Sequence, residues 1–192
     1  MIGFFAKAAR ILAVATLGVV VSNAAEASSW KVDPARSQIG FSGTQTGERF
    51  QGKFGRYQAT IDFDPAAPEG GHAVIAIELG SATTGDKQRD QALPGEDWFD
   101  VSRFPTATFE AKRFVAKGGN AYEAQGTLSL RGVSRDLVLP FTLDTKDGVA
   151  HAKGHVDLLR NAYGVGQNAW SSDAYVAFAV GVDIDLIATA AP

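Results

Sequence analysis

From residue 36 onward, apolar and polar positions alternate in short runs, the period-2 pattern of strands with one buried face. QIGFSGTQ places Ile39, Phe41 and Gly43 on one face. RYQATIDFD places Tyr57, Ala59, Ile61 and Phe63 together, and HAVIAIEL does the same for Ala73, Ile75, Ile77 and Leu79. TATFEAKRF aligns Ala107, Phe109 and Ala111, and GTLSL pairs Leu128 with Leu130. DLVLPFTLD aligns Leu137, Leu139, Phe141 and Leu143. VAHAKGHVDL aligns Ala150, Ala152, Gly154, Val156 and Leu158. AYVAFAVGVDIDL aligns Val176, Phe178, Val180, Val182, Ile184 and Leu186. These make eight candidate strands in an all-β chain.

Turn residues separate the runs, at Asp64-Pro65 to Gly71, Lys117 to Asn120, Arg131-Gly132 and Lys146-Asp147-Gly148. Phe50, Gly52 and Phe54 alternate on even numbers while Tyr57 onward runs on odd ones, so a β-bulge is expected at Gly55. One helix is expected, in DKQRDQAL: it opens on the capping residue Asp86 and stops at Pro94. It sits in a long irregular crossover, residues 83–109, that mixes Asp86, Arg89, Asp90, Glu96, Asp97 and Asp100 with Trp98, Phe99 and Phe104.

Many of the inward positions are small: Ala59, Ala73, Ala107, Ala111, Ala150, Ala152 and Gly154. A closed eight-stranded barrel can fill its interior with side chains or hold one small ligand. Small inward residues fit either a cavity or tapered packing, and the pattern alone leaves both open.

The N-terminus changes the picture of where the chain works. Lys7 and Arg10 precede an apolar run from Ile11 to Val21, and Ala25-Glu26-Ala27 fits a signal-peptidase site. Residues 1–27 are therefore expected to be an export signal, with a single domain over residues 28–192 and a periplasmic location. The apolar run is short for a bilayer span. Without Lys7, Arg10 and Glu26 the chain holds 16 basic and 20 acidic residues, a net charge of −4, which disfavours nucleic acid as a partner. There is no Cys, so thiol catalysis and Cys-based metal sites are excluded.

Motifs with catalytic overtones fail on chemistry. Gly47 to Phe54 approaches a phosphate-binding loop, but Phe54 stands where a Mg²⁺-binding hydroxyl is needed and the segment enters a strand. Gly164-Val165-Gly166-Gln167-Asn168-Ala169 approaches a dinucleotide fingerprint without a βαβ unit around it. His151 and His155 lie on one strand face roughly 13 Å apart at about 3.3 Å per residue, too far to share a metal ion. Asp183 and Asp185 share the wet face of a strand and read as solubility devices. No Gly-x-Ser-x-Gly elbow is present. The acids of the crossover lack a His partner and are expected to seat a capped helix.

Several segments together resemble the YceI-like family. They are Trp30-Lys31-Val32-Asp33-Pro34, Ser37 and Phe41, Phe50-x-Gly52-x-Phe54, and Ile61-x-Phe63-Asp64-Pro65. Then come Thr84-Gly85, Arg89-Asp90, Leu93, Trp98-Phe99-Asp100 and Phe104-Pro105-x-Ala107-x-Phe109, and last Gly126-x-Leu128-x-Leu130-Arg131-Gly132-Val133. One departure is Arg36 before Ser37, where many members carry His. The resemblance implies a single eight-stranded antiparallel, lipocalin-like barrel with one short helix in its crossover. It implies a periplasmic protein binding a polyisoprenoid or quinone-type lipid, with a membrane cytochrome b561 as a candidate partner.

On that basis the expected ligand-binding residues are the inward Phe41, Ile61, Phe63, Ile75, Ile77, Ala107, Phe109, Leu128, Leu130, Leu139, Phe141, Ala152, Phe178 and Val180, with Arg89, Trp98, Phe99 and Phe104 from the crossover. Arg89 is expected either to meet a lipid head group or to pair with Asp86 or Asp90. The bound isoprenoid is the only expected small molecule: no catalytic residue, metal or other cofactor is expected. Two rival readings are an accessory partner of the cytochrome and a lipid head-group hydrolase using the Asp cluster. A homodimer is left open.

Overall fold

A computed structural model describes residues 29–191; the expected export signal lies outside the described residues. The strands are β1 (Ser29–Val32), β2 (Gln38–Gln45), β3 (Glu48–Phe54), β4 (Tyr57–Asp62), β5 (His72–Glu78) and β6 (Ala82–Thr83). After helix α1 (Lys87–Ala92) come β7 (Thr106–Gly118), β8 (Ala121–Leu130), β9 (Val133–Lys146), β10 (Val149–Leu159) and β11 (Ala179–Ala190). All pairings are antiparallel, and a β1–β11 ladder closes the sheet into a barrel.

These segments make an eight-stranded barrel because three of its strands are broken. β11 pairs with β1 at Val32–Ala188 and with β2 at Ile39–Ile184, so β1 and β2 are two halves of one barrel strand. β3 follows β2, and β4 follows β1, in the same way. β5 and β6 are split by the turn at Leu79–Ser81. Gly55 therefore marks a corner where β3 ends and β4 begins, and the bulge expected there is absent. Hydrogen bonds from Gly55 N to Ser81 O (3.0 Å) and from Arg56 N to Ser81 Oγ (3.0 Å) tie that corner to the next one.

A bulge occurs instead in β7. The β7–β8 register slips between Ala111 and Arg113, leaving Lys112 as the extra residue. The slip moves the inward phase from odd to even, so Ala111 and Phe114 are both buried. Gly126 pairs with Ala111 opposite the bulge, and a Cβ there would lie 2.0 Å from Glu110 O and 2.7 Å from Ala111 Cα. Only glycine permits that approach. β8 also begins at Ala121, five residues before the stretch whose alternation was legible, and adds Tyr122 and Ala124 to the buried face.

In an antiparallel barrel successive connections lie at alternate ends. One end carries the β4–β5, β7–β8 and β9–β10 turns. The other carries the β2–β3 turn, the β6–β7 crossover, the β8–β9 turn and the long β10–β11 connection. The β9–β10 ladder stops at Phe141–Gly154, next to Pro140, which has no N–H to continue it. Beyond that point the two strands diverge toward the second end, and Tyr163 is buried with Arg135 Nε donating to Ala162 O at 2.8 Å.

Gly126→Val is expected to lower the unfolding free energy by at least about 1–3 kcal/mol, through overpacking against the β7 backbone. Urea denaturation checks this; unchanged stability would show that the bulge can relax.

Candidate functional site

The inward face encloses a cavity of about 520 Å³, lined almost wholly by apolar side chains. On β10 it reaches from Ala150 to Leu158, roughly 26 Å of strand at about 3.3 Å per residue, and strand tilt brings the depth to about 20 Å. Small residues make the room: Ala73, Ala107, Ala111, Ala124, Ala150, Ala152 and Ala188 all line it. Toward the first end, rings narrow the cavity. Phe63 lies 4.8 Å from Phe114 and 5.4 Å from Tyr122, and Tyr122 stacks on Phe141 at 5.5 Å. Trp30 joins them from β1, with Nε1 donating to Phe63 O at 2.8 Å.

The second end is a mouth formed by two irregular segments. The β10–β11 connection is gathered around Arg160, whose side chain is buried. Its guanidinium donates to four carbonyls of that connection: Ala177 O (3.1 Å), Val165 O (2.9 Å), Ser172 O (2.9 Å) and Val176 O (2.7 Å). It also lies over the rings of Trp98 at 5.5 Å and Phe178 at 5.1 Å. Burial pushes the Arg160 guanidinium below its ordinary value, with Asp173 opposing the shift. Gly166, at φ +86°, gives it space, since a Cβ there would lie 1.9 Å from Nη1. The glycines that resembled a nucleotide fingerprint thus shape a loop around a cation.

The crossover forms the other lip. Asp86 caps α1 by accepting from Gln88 N and Arg89 N. Asp90 accepts from Thr83 Oγ1, Thr84 Oγ1 and Thr84 N at 2.6–2.7 Å, and these bonds hold its carboxyl below the usual range. Asp97 O accepts from Gly166 N and Gln167 N, both at 2.8 Å, and its carboxylate accepts from Asn168 Nδ2 at 2.6 Å. Trp98 packs on Trp170 at 5.5 Å, so the two lips form one wall. The backbone of the β10–β11 connection is further tied to the end of β2, with Thr46 N donating to Tyr175 O at 2.7 Å.

This barrel, with its crossover and broken strands, has relatives. Residues 30–188 match the YceI-like domain. The chain belongs to the YceI-like family. It is 31% identical to BcnA of Burkholderia cenocepacia, whose crystal structure superposes with a TM-score of 0.80 over 83% of this chain and 100% of that one. A Campylobacter jejuni YceI protein gives 26% identity and a TM-score of 0.65 over 73% of this chain and 85% of that one. A polyisoprenoid binding domain of Saccharophagus degradans, implicated in plant cell wall breakdown, shares the fold at 14% identity, with a TM-score of 0.64 over 84% of this chain and 98% of that one. Among curated sequences, a UPF0312 protein of Vibrio cholerae is 27% identical over 67% of this chain and 70% of its own length. One from Yersinia pestis is 34% identical over 50% of this chain and 47% of its own length. The chain thus spans between 47% and 70% of the length of these curated relatives.

In this YceI-like barrel, sixteen of the eighteen expected residues line the cavity. Phe104 and Phe178 do not. Phe104 turns toward the β8–β9 hairpin, where its ring comes within 2.7 Å of the Cβ position of Gly132. Phe178 precedes β11, which starts only at Ala179, so its ring follows Arg160 and not the strand phase. Tyr163, Val165 and Trp170 line the cavity from a segment without periodicity. Arg160 also lines it, on the even phase of β10 carried one residue past the strand.

The outward histidines are paired. His151 Nε2 lies 2.6 Å from Asp185 Oδ1, and His155 Nδ1 lies 2.7 Å from Asp183 Oδ1. The hydrogen bond to Asp183 raises the His155 pKa, so its stabilising contribution is full below about 6.5 and fades as pH rises through the folded-state value. Melting curves across that window should show the fall in wild type and lose it in His155→Gln; parallel curves would contradict the coupling.

Arg160→Met should destabilise the protein by about 3 kcal/mol or more, because four carbonyls lose a buried donor. Urea unfolding tests this, and the emission of Trp98 and Trp170 should become more solvent-exposed; wild-type stability and emission would refute the anchoring role.

Proposed function

We propose that this YceI-like chain is a periplasmic binding protein that carries or sequesters a long-chain polyisoprenoid or quinone-type lipid in its barrel. The observation that carries the reading is the deep apolar cavity, narrowed by rings at one end and bounded at the other by the crossover and the β10–β11 connection. Its volume falls in the range of roughly 300–1,000 Å³ usual for small-molecule sites. The binding force is tail burial. At about 0.8 kcal/mol per methylene, some ten methylene equivalents supply ~8 kcal/mol, comparable with the free energy of a micromolar complex. Few polar contacts are needed, and the lining provides few.

The same geometry favours binding over catalysis. Asp86, Asp90 and Asp97 each hold the crossover in place, and no histidine lines the cavity among the described residues. The Saccharophagus domain described as polyisoprenoid binding shares the fold, and at 14% identity it speaks for the fold alone. The shape and lining of this cavity support a long apolar chain, and the isoprenoid class is what the family resemblance implies. The periplasmic setting rests on residues 1–27.

Ala107→Trp and Ala152→Trp fill the cavity from two walls. Each should weaken binding of a fluorescent polyprenyl probe by about tenfold or more, while the melting temperature changes little because the ring enters existing space. Undiminished binding in both variants would place the ligand elsewhere and overturn the proposal.

A further inference from the structure

Three charged side chains line the cavity among the described residues: Asp86, Arg89 and Arg160. All three stand at the mouth, but the two arginines differ in what they have left to offer. A guanidinium carries five N–H donors. Arg160 gives four donor contacts to backbone carbonyls and is buried against two rings. It is engaged by its own loop.

Arg89 is not. Its Nε donates to Thr84 Oγ1 at 3.3 Å and its Nη1 to Gln45 Oε1 at 3.1 Å. Asp86 Oδ2 forms an ion pair with Nη2 at 3.9 Å, as one of the expected alternatives had it, but lies beyond hydrogen-bonding distance, and Asp90 is engaged with Thr83 and Thr84. Three of its five N–H groups thus have no hydrogen-bond partner among the described residues. The guanidinium is steered by Phe50, whose ring centroid lies 4.8 Å from Cζ. Its bond to Gln45 has a second consequence. With Oε1 accepting from Arg89, the Gln45 Nε2 group is left as a donor on the same lip. Gln45, Phe50 and Arg89 all face the cavity.

We propose that Arg89 and Gln45 form a head-group site at the mouth, selective for a lipid head that presents acceptor oxygens and bears no positive charge. The inference rests on the lipid-binding reading above and adds the chemistry of the head. Phosphoryl and quinone carbonyl oxygens both meet this description. An ammonium head does not, because it would bring a cation against Arg89 with only Asp86 to offset it, and would face donors with donors.

The test compares four probes of equal chain length on the exported-length protein: a polyprenyl phosphate, a polyprenyl quinone, the polyprenyl hydrocarbon and a polyprenyl amine. Wild type should bind the first two about tenfold or more tighter than the hydrocarbon, as expected for hydrogen bonds to a charged donor, and the amine no tighter than the hydrocarbon. Arg89→Met should bring the phosphate and quinone down to the hydrocarbon level and leave the hydrocarbon unchanged. Gln45→Glu should weaken the phosphate more than the quinone. Equal loss for all probes in Arg89→Met, with a lower melting temperature, would make Arg89 structural and overturn the proposal, as would no loss at all. Failure of wild type to bind the hydrocarbon would instead strike at tail burial, so the two readings fail separately.

Discussion

The closed ring of backbone hydrogen bonds, completed where β1 meets β11, has to hold the barrel without help from a fully packed interior. In most domains side chains fill the core to crystal density and the fold rests on that contact. Here alanines stand at seven inward positions of the strands lining one cavity, and they leave apolar surface uncovered inside it. No disulfide supplements the ladder, since the chain has no Cys. The features that keep the ring intact therefore have functional weight. Gly126 accommodates the β7 bulge, the corners at Gly55 and Ser81 lock broken strands together, and aromatic packing around Phe63 narrows one end.

The mouth poses a different problem. A connection of about twenty residues must cross the rim of an apolar cavity and still satisfy its carbonyls. Arg160 does this with one planar cation, bonded to four of them and lying over the rings of Trp98 and Phe178. Asp97 links that connection to the crossover, and Trp98 on Trp170 seals the joint. With the loops tied to one another, Arg89 can face inward with donors in reserve. The division of labour between two arginines follows from where each one's acceptors are: Arg160 has them within its own loop, and Arg89 has two among the described residues.

Strand alternation made most of the barrel legible, because each strand has one wet face and one apolar face. Phe41, Ile75, Phe109, Leu139 and Ala152 could be placed from parity alone, and all line the cavity. Parity fails wherever a residue is inserted. Lys112 hides the inward Phe114 by shifting its phase, and the break at Gly55 mimics a bulge. It also fails where the chain leaves the sheet: Phe178 continued the alternation of β11 by number while lying outside the strand. Tyr163, Val165 and Trp170 carried no periodic signal at all. The helix was readable because Asp86 and Pro94 bracket it, yet which carboxylate would meet Arg89 depended on tertiary geometry. Thr83 and Thr84 claim Asp90 through hydrogen bonds that spacing could not reveal.

The central claim is that the cavity exists to hold a long apolar chain. Its most direct measurement is mass spectrometry of the organic extract from protein purified, without detergent, from its native host. The account predicts one long-chain isoprenoid lipid at close to one molecule per chain, absent from an extract of an unrelated exported protein prepared in parallel. An extract without lipid above that control, or with an unselective mixture of membrane lipids, would contradict it.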